Sequence, residues 1–216
     1  KVFAEVINNI FPSDSEEDSA SITIDKGLFY LENNLYSQAS YHLSEGLLME
    51  SDEVTLEYLY EINNSDSLII DKLISSFEYM YLNDTSLNSS LFYLSLLQIN
   101  KDKEKSKNYI SKYIADHYND YRAYLHYGHL LFADNDWFNA MYNYQSSLLN
   151  KKTNNAYLGV GRCLLQLNAY DEALKAFKYV IKLDENNDEA YYYSGICNIK
   201  LTKYKEAIYQ LTHSLM

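Results

Sequence analysis

The sequence predicts an all-α fold, an α-solenoid built of antiparallel helix pairs. Three observations carry that prediction. The first is an internal repeat: Tyr157, Gly161, Ala173 and Phe177 answer to Tyr191, Gly195, Ala207 and Leu211, each pair 34 residues apart. A fixed period of this size marks architectures whose units bury their apolar faces on their neighbours. The second is a 12-residue Gly-to-Ala interval, found at Gly27–Ala39, Gly128–Ala140, Gly161–Ala173 and Gly195–Ala207. Two helices packed in a hairpin need small residues where their backbones approach, so the interval is read as Gly on the first helix facing Ala on the second. The third is a shortage of turn formers. One proline, Pro12, and six glycines in 216 residues are too few for a sheet-rich fold with many tight turns.

The elements follow in chain order. Residues 1–19 fit no repeat. Val2, Phe3, Val6, Ile7, Ile10 and Phe11 recur on one helical face, and the acidic link "PSDSEEDSAS" follows. They are read as an amphipathic helix and linker that caps the first repeat, or as a segment that docks elsewhere, even in the protein's own groove. The solenoid covers 20–216, with repeats near 20–53, 54–86, 87–120, 121–153, 154–187 and 188–216. Gly27 and Gly128 are 101 residues apart, one short of three periods, which leaves room for two divergent repeats between them. That middle stretch predicts helices near 54–63, 66–82, 88–100 and 103–117. Polar turns such as "LNAYDE" and "LTKYKE" close each hairpin, and stretches such as "LDENNDEA" break one helix and cap the next.

At this level of detail the units resemble tetratricopeptide repeats: Tyr157-x-x-Val160-Gly161-x-x-Leu164 followed by Ala173-x-x-x-Phe177 runs in that family's order. Tyr124, Tyr127, Gly128, Leu131, Ala140 and Tyr144 follow it too, whereas the usual proline between repeats is absent. The resemblance implies a right-handed superhelix whose first helices line a concave face that receives a partner segment. On that face it places Arg122, His126 and His129, then Asn155, Arg162 and Gln166, then Glu189, Tyr192, Tyr193 and Ile196. The chain's two arginines both lie there. Guanidinium forks suit carboxylates and stack on aromatics, so the candidate partner-binding residues are Arg122, His126, His129, Arg162, Gln166, Tyr192 and Tyr193. The plainer reading is that both arginines pair with neighbouring acids. In the N-terminal half the same face carries Ile24, Leu28, Leu31, Tyr58, Leu59 and Ile62. The positions matching the clamp of repeats that bind heat-shock chaperone C-terminal tails are His129, Gly159 and Glu189, among others, so that partner is not expected.

Charge narrows the partners further. The formal net charge is −12, with 3 Lys, no Arg and 17 acids in residues 1–100. A nucleic-acid reader needs a basic stripe, and this half is its opposite. No apolar run reaches 18 residues, so no membrane span is predicted. Residue 1 is Lys and no polar capping helix follows the last repeat, so the chain is expected to be part of something longer. A cytoplasmic form and a processed envelope or secreted form both fit.

Chemistry is sparse. "GVGRCL" at 159–164 lacks the third glycine of a dinucleotide fingerprint and sits inside a helix. His126 and His129 have the spacing of two metal ligands, with no second pair to complete a site. Cys163 and Cys197 hold equivalent repeat positions and are read as small core residues too far apart for a disulfide. No cofactor or catalytic group is expected. The function expected is a non-catalytic interaction module, a scaffold, adaptor or assembly factor; the alternative is the substrate-presenting or regulatory part of a larger enzyme.

Overall fold

The computed structural model describes residues 20–33, 35–49, 67–83 and 89–215. Among them it forms eleven helices: α1 Ala20–Glu32, α2 Tyr36–Met49, α3 Ser67–Asn83, α4 Ser89–Gln98, α5 Lys103–Asp116, α6 Tyr121–Ala133, α7 Trp137–Asn150, α8 Asn154–Gln166, α9 Tyr170–Leu183, α10 Asp188–Lys200 and α11 Tyr204–His213. No strand occurs among the described residues. The helices expected near 66–82, 88–100 and 103–117 are α3, α4 and α5. The one near 54–63, and the segment 1–19, lie outside the described residues. The fold is an all-α solenoid of tandem helix pairs. The chain divides into two compact units, residues 1–109 and 110–216.

In the second unit each helix begins and ends for a local reason. Asp120, Thr153 and Asn187 precede the first helices α6, α8 and α10. Their side chains accept from the backbone N–H of Arg122, Ala156 and Ala190, which satisfies donors that the helix start leaves open. The first helices end alike. The backbone N–H groups of Asp136, Ala169 and Lys203 reach back five residues to Leu131, Leu164 and Asn198. This closure needs a left-handed residue just before each donor, and Asn135, Asn168 and Thr202 supply it at φ 62°, 62° and 59°. Asparagine tolerates that region; a β-branched threonine is strained in it. Thr202→Asn should therefore raise the stability of the last hairpin by about 1 kcal/mol, read as an upward shift of the urea midpoint without a change in slope. An unchanged midpoint would show that Thr202 carries no strain.

Packing corrects the expected role of the Gly-to-Ala interval. Gly195 does meet its alanine, at the Ala207 carbonyl 3.5 Å away, but what stands nearest each glycine is the large residue one turn beyond. A Cβ on Gly161 would stand 2.5 Å from the Phe177 ring, and one on Gly128 would stand 2.7 Å from Tyr144. Gly27 and Gly195 meet Leu43 and Leu211 in the same way, each at 2.6 Å. The interval that matters is thus sixteen residues, Gly to a bulky apolar side chain. Ala39, Ala140, Ala173 and Ala207 are buried for the usual reason, that the helices are close. Gly159 adds a second contact, since a Cβ there would also strike Tyr144 at 2.6 Å. Tyr144 is therefore held between its own hairpin and the next.

In the first unit α1 packs on α2, α2 on α3 and α3 on α4. Here the small-residue interval is written in another alphabet. Ser95 and Ser106 are fully buried, and each hydroxyl donates to the other's carbonyl, at 2.8 and 2.7 Å. Two serines hold this hairpin's close approach where other repeats seat a large side chain against a glycine. A stacked pair recurs at the same spacing in both units. Phe77 and Tyr93 lie 5.3 Å apart at 18°, and Phe177 and Tyr193 lie 5.4 Å apart at the same angle, each pair sixteen residues apart in sequence. The Tyr93 hydroxyl donates to the carbonyl of Leu47 at 2.8 Å, which ties α4 back to α2.

Candidate functional site

Within residues 110–216 the first helices α6, α8 and α10 touch one another in succession. The second helices α7, α9 and α11 make at most slight contact with each other. The first-helix side is therefore the continuous face of the stack. It carries the candidate residues, and the structure sorts them.

Arg162 stands at the centre. Its guanidinium lies over the Phe132 ring of α6 at 4.6 Å and the Tyr193 ring of α10 at 5.6 Å. One edge reaches Glu189 at 3.6 Å. Three successive first helices thus meet at one cation. Tyr193 is fixed from beneath by stacking on buried Phe177, and Tyr192 packs edge-on against it at 5.2 Å. Tyr192 remains half open to solvent. Gln166 is exposed one turn beyond Arg162. Phe132 was missed in the sequence, although it lies three residues after His129 and so on the same face.

His129 is also on this face, tilted against Tyr144 at 5.5 Å. Its ring keeps solvent contact, yet protein stands around most of it. That loss of hydration, with the Arg162 charge as a second cause, pulls its pKa down to about 4. The folded pKa thus lies below the unfolded value, so protons favour the unfolded chain. Stability from this group is full above the ordinary histidine range and falls as pH drops from about 6.5 toward 4. A proton NMR titration should place the His129 midpoint near 4, and Arg162→Gln should move it upward. A midpoint in the ordinary range would show that water reaches the ring, which is exposed by surface area, freely enough to keep it hydrated.

The remaining candidates do not join this cluster. His126 is only 3% exposed and belongs to the interior of α6, so it offers no surface to a partner. It stands three residues after Ala123 and four before Leu130, both buried, and so lies on their face of the helix. Arg122 grips Asp120 through two hydrogen bonds, Nε at 3.0 Å and Nη2 at 2.8 Å. Burial alone would raise the Asp120 pKa, but the Arg122 hydrogen bonds and charge outweigh it and hold the carboxyl below its usual range. For Arg122 the plainer reading of a neighbouring ion pair is the one the structure shows. Both cysteines are free and buried, and loss of hydration pushes their thiols up to about 12 for Cys163 and about 11 for Cys197. No group of three metal-ligating side chains occurs among the described residues, nor any helix long and apolar enough to cross a membrane.

Comparison with known proteins agrees with this architecture. Residues 148–214 match the family model of the anaphase-promoting complex, cyclosome, subunit 3, and the structures similar over most of the chain are helical-repeat solenoids. The repeats are of the tetratricopeptide type. A crystal structure of MamA is similar at a TM-score of 0.65 and 17% identity, over 68% of this chain and 87% of that one. The MamA 41-end from Desulfovibrio magneticus RS-1 is similar at 0.59 and 14% identity, over 93% and 96%. No curated protein sequence matches.

Proposed function

We propose that this tetratricopeptide protein is a non-catalytic interaction module that holds a partner segment on the continuous face of α6, α8 and α10. The observation that carries the reading is Arg162, suspended between Phe132 and Tyr193 with Glu189 as its counter-ion among the described residues. A guanidinium framed by aromatic rings accepts a carboxylate in its own plane while an apolar group packs beside it. The segment that fits is an extended or helical stretch bearing a carboxylate next to an apolar anchor. Glu189 occupies the place that such a carboxylate would take, and so competes with it for the guanidinium. The chaperone-tail reading fails on the same residue, since Glu189 stands where a clamp needs a cation. The test is affinity capture of the partner on the intact protein, mapping of the bound segment, and comparison with an Arg162→Ala variant. A mapped segment lacking any carboxylate, or one retained undiminished by the variant, would remove the proposal.

A further inference from the structure

The second-helix side of the second unit holds a surface that the first-helix reading does not use. Helix α7 contains no charged residue in fourteen positions, although its outer face meets solvent. Phe138 is 69% exposed, Tyr142 66% and Leu149 89%, and their spacing places them in one stripe along the helix. The repeat supplies its own control. On α9 the equivalent positions, thirty-three residues on, are Asp171, Lys175 and Lys182. On α9 this face is written in charges, on α11 it is mixed, with Lys205 and an exposed Tyr209, and on α7 it holds two aromatics and a leucine. On α9, the next second helix in the stack, Lys175, Lys178 and Lys182 are all exposed, and no ion pair holds them among the described residues. An apolar stripe followed on the next second helix by such a row of lysines calls for an occupant that is apolar on one side and acidic at one end.

The chain itself encodes such an occupant. Val2, Phe3, Val6, Ile7, Ile10 and Phe11 share one helical face, and Asp14, Glu16, Glu17 and Asp18 follow at once. At 1.5 Å per residue, the nine steps from Val2 to Phe11 would span about 14 Å as a helix and the eleven from Phe138 to Leu149 about 17 Å. Length, apolarity and charge all match. We propose that residues 2–18 of one copy dock on the α7 stripe of a second copy, with the acidic run against Lys175, Lys178 and Lys182. Donor and acceptor surfaces differ, so the contact is head-to-tail. Unless it closes into a ring, it extends by adding copies.

Sedimentation velocity of the full chain tests this. The parent should associate as concentration rises from about 1 to about 100 µM, the range expected of a small interface, and added salt should weaken it. Phe138→Glu with Tyr142→Glu should abolish association while leaving the helical melt unchanged, because both side chains are exposed. Ile7→Glu should abolish it from the other side. Mixed, the two variants should form dimers and nothing larger, since each retains only one half of the contact. A parent that stays monomeric at the highest concentration would overturn the proposal. So would association that survives either variant, or a mixture of variants that stays monomeric. The outcome is separate from the first-helix reading, which Arg162→Ala tests without touching α7.

Discussion

Gly161→Leu should destabilise the protein by about 3 kcal/mol, at the upper end of what overpacking costs. The reason is specific: a Cβ at this position already stands 2.5 Å from Phe177, which is itself fully buried and stacked on Tyr193. The ring has nowhere to go. Phe177→Ala should cost about 3–5 kcal/mol by leaving a cavity. Combined, the two should cost at least 1 kcal/mol less than their sum, because the leucine fills space that the ring vacates. Urea titration followed by circular dichroism measures all three. Strict additivity would mean that Gly161 and Phe177 do not share one volume, and that the sixteen-residue pairing is wrong. The companion substitution Ala173→Phe should cost about 1–3 kcal/mol for the more general reason that the hairpin closes over a fully buried alanine.

Arg162→Ala should weaken binding of the mapped partner segment by about 1.5–3 kcal/mol, the usual loss for a charge-assisted hydrogen bond. Its effect on folding should be smaller. The ion pair with Glu189 is 3.6 Å long between half-exposed side chains, and such pairs contribute little. The stacking on Phe132 and Tyr193 adds about 0.5–1 kcal/mol at a site this open to water. Binding and stability therefore separate, and isothermal titration beside a thermal melt reads both. Glu189→Gln should act in the opposite direction on affinity, since it removes the carboxylate that competes for the guanidinium. An Arg162→Ala protein that binds as tightly as the parent, or a Glu189→Gln protein that binds more weakly, would show that the cation is a strut between helices.

Much of this fold can be read from the chain, because a repeat states its own rule several times. Gly128, Gly161 and Gly195 recur with Tyr144, Phe177 and Leu211 at one interval, so noise at any single position cancels. The middle hairpin escapes that logic. Ser95 and Ser106 keep its close approach by exchanging hydrogen bonds, and nothing in a pattern of glycines and alanines points to a pair of hydroxyls. Part of the candidate site was legible for a similar reason. Arg162, Tyr193 and His129 follow from helical spacing on three equivalent helices. Phe132 was within reach of the same reasoning, but a phenylalanine near a helix end looks like core until its neighbours are known. His126 shows the limit: it shares its face of the helix with buried Ala123 and Leu130, and that is enough to move a side chain from groove to interior.

The sequence by itself determined the helix pairs, their period, their caps and the side of each repeat that carries the arginines, because these depend on contacts within a few dozen residues. Only the tertiary structure decided what each arginine does. Arg122 and Arg162 are equivalent in kind and lie on the same face, yet one closes on Asp120 two residues away and the other on rings from two other helices. A local carboxylate captures a cation wherever it is near enough, since charge interaction falls off with distance. Where none is near in sequence, as at Arg162, the cation's partners, the Glu189 carboxylate among them, come from whatever the packing of neighbouring helices brings within reach.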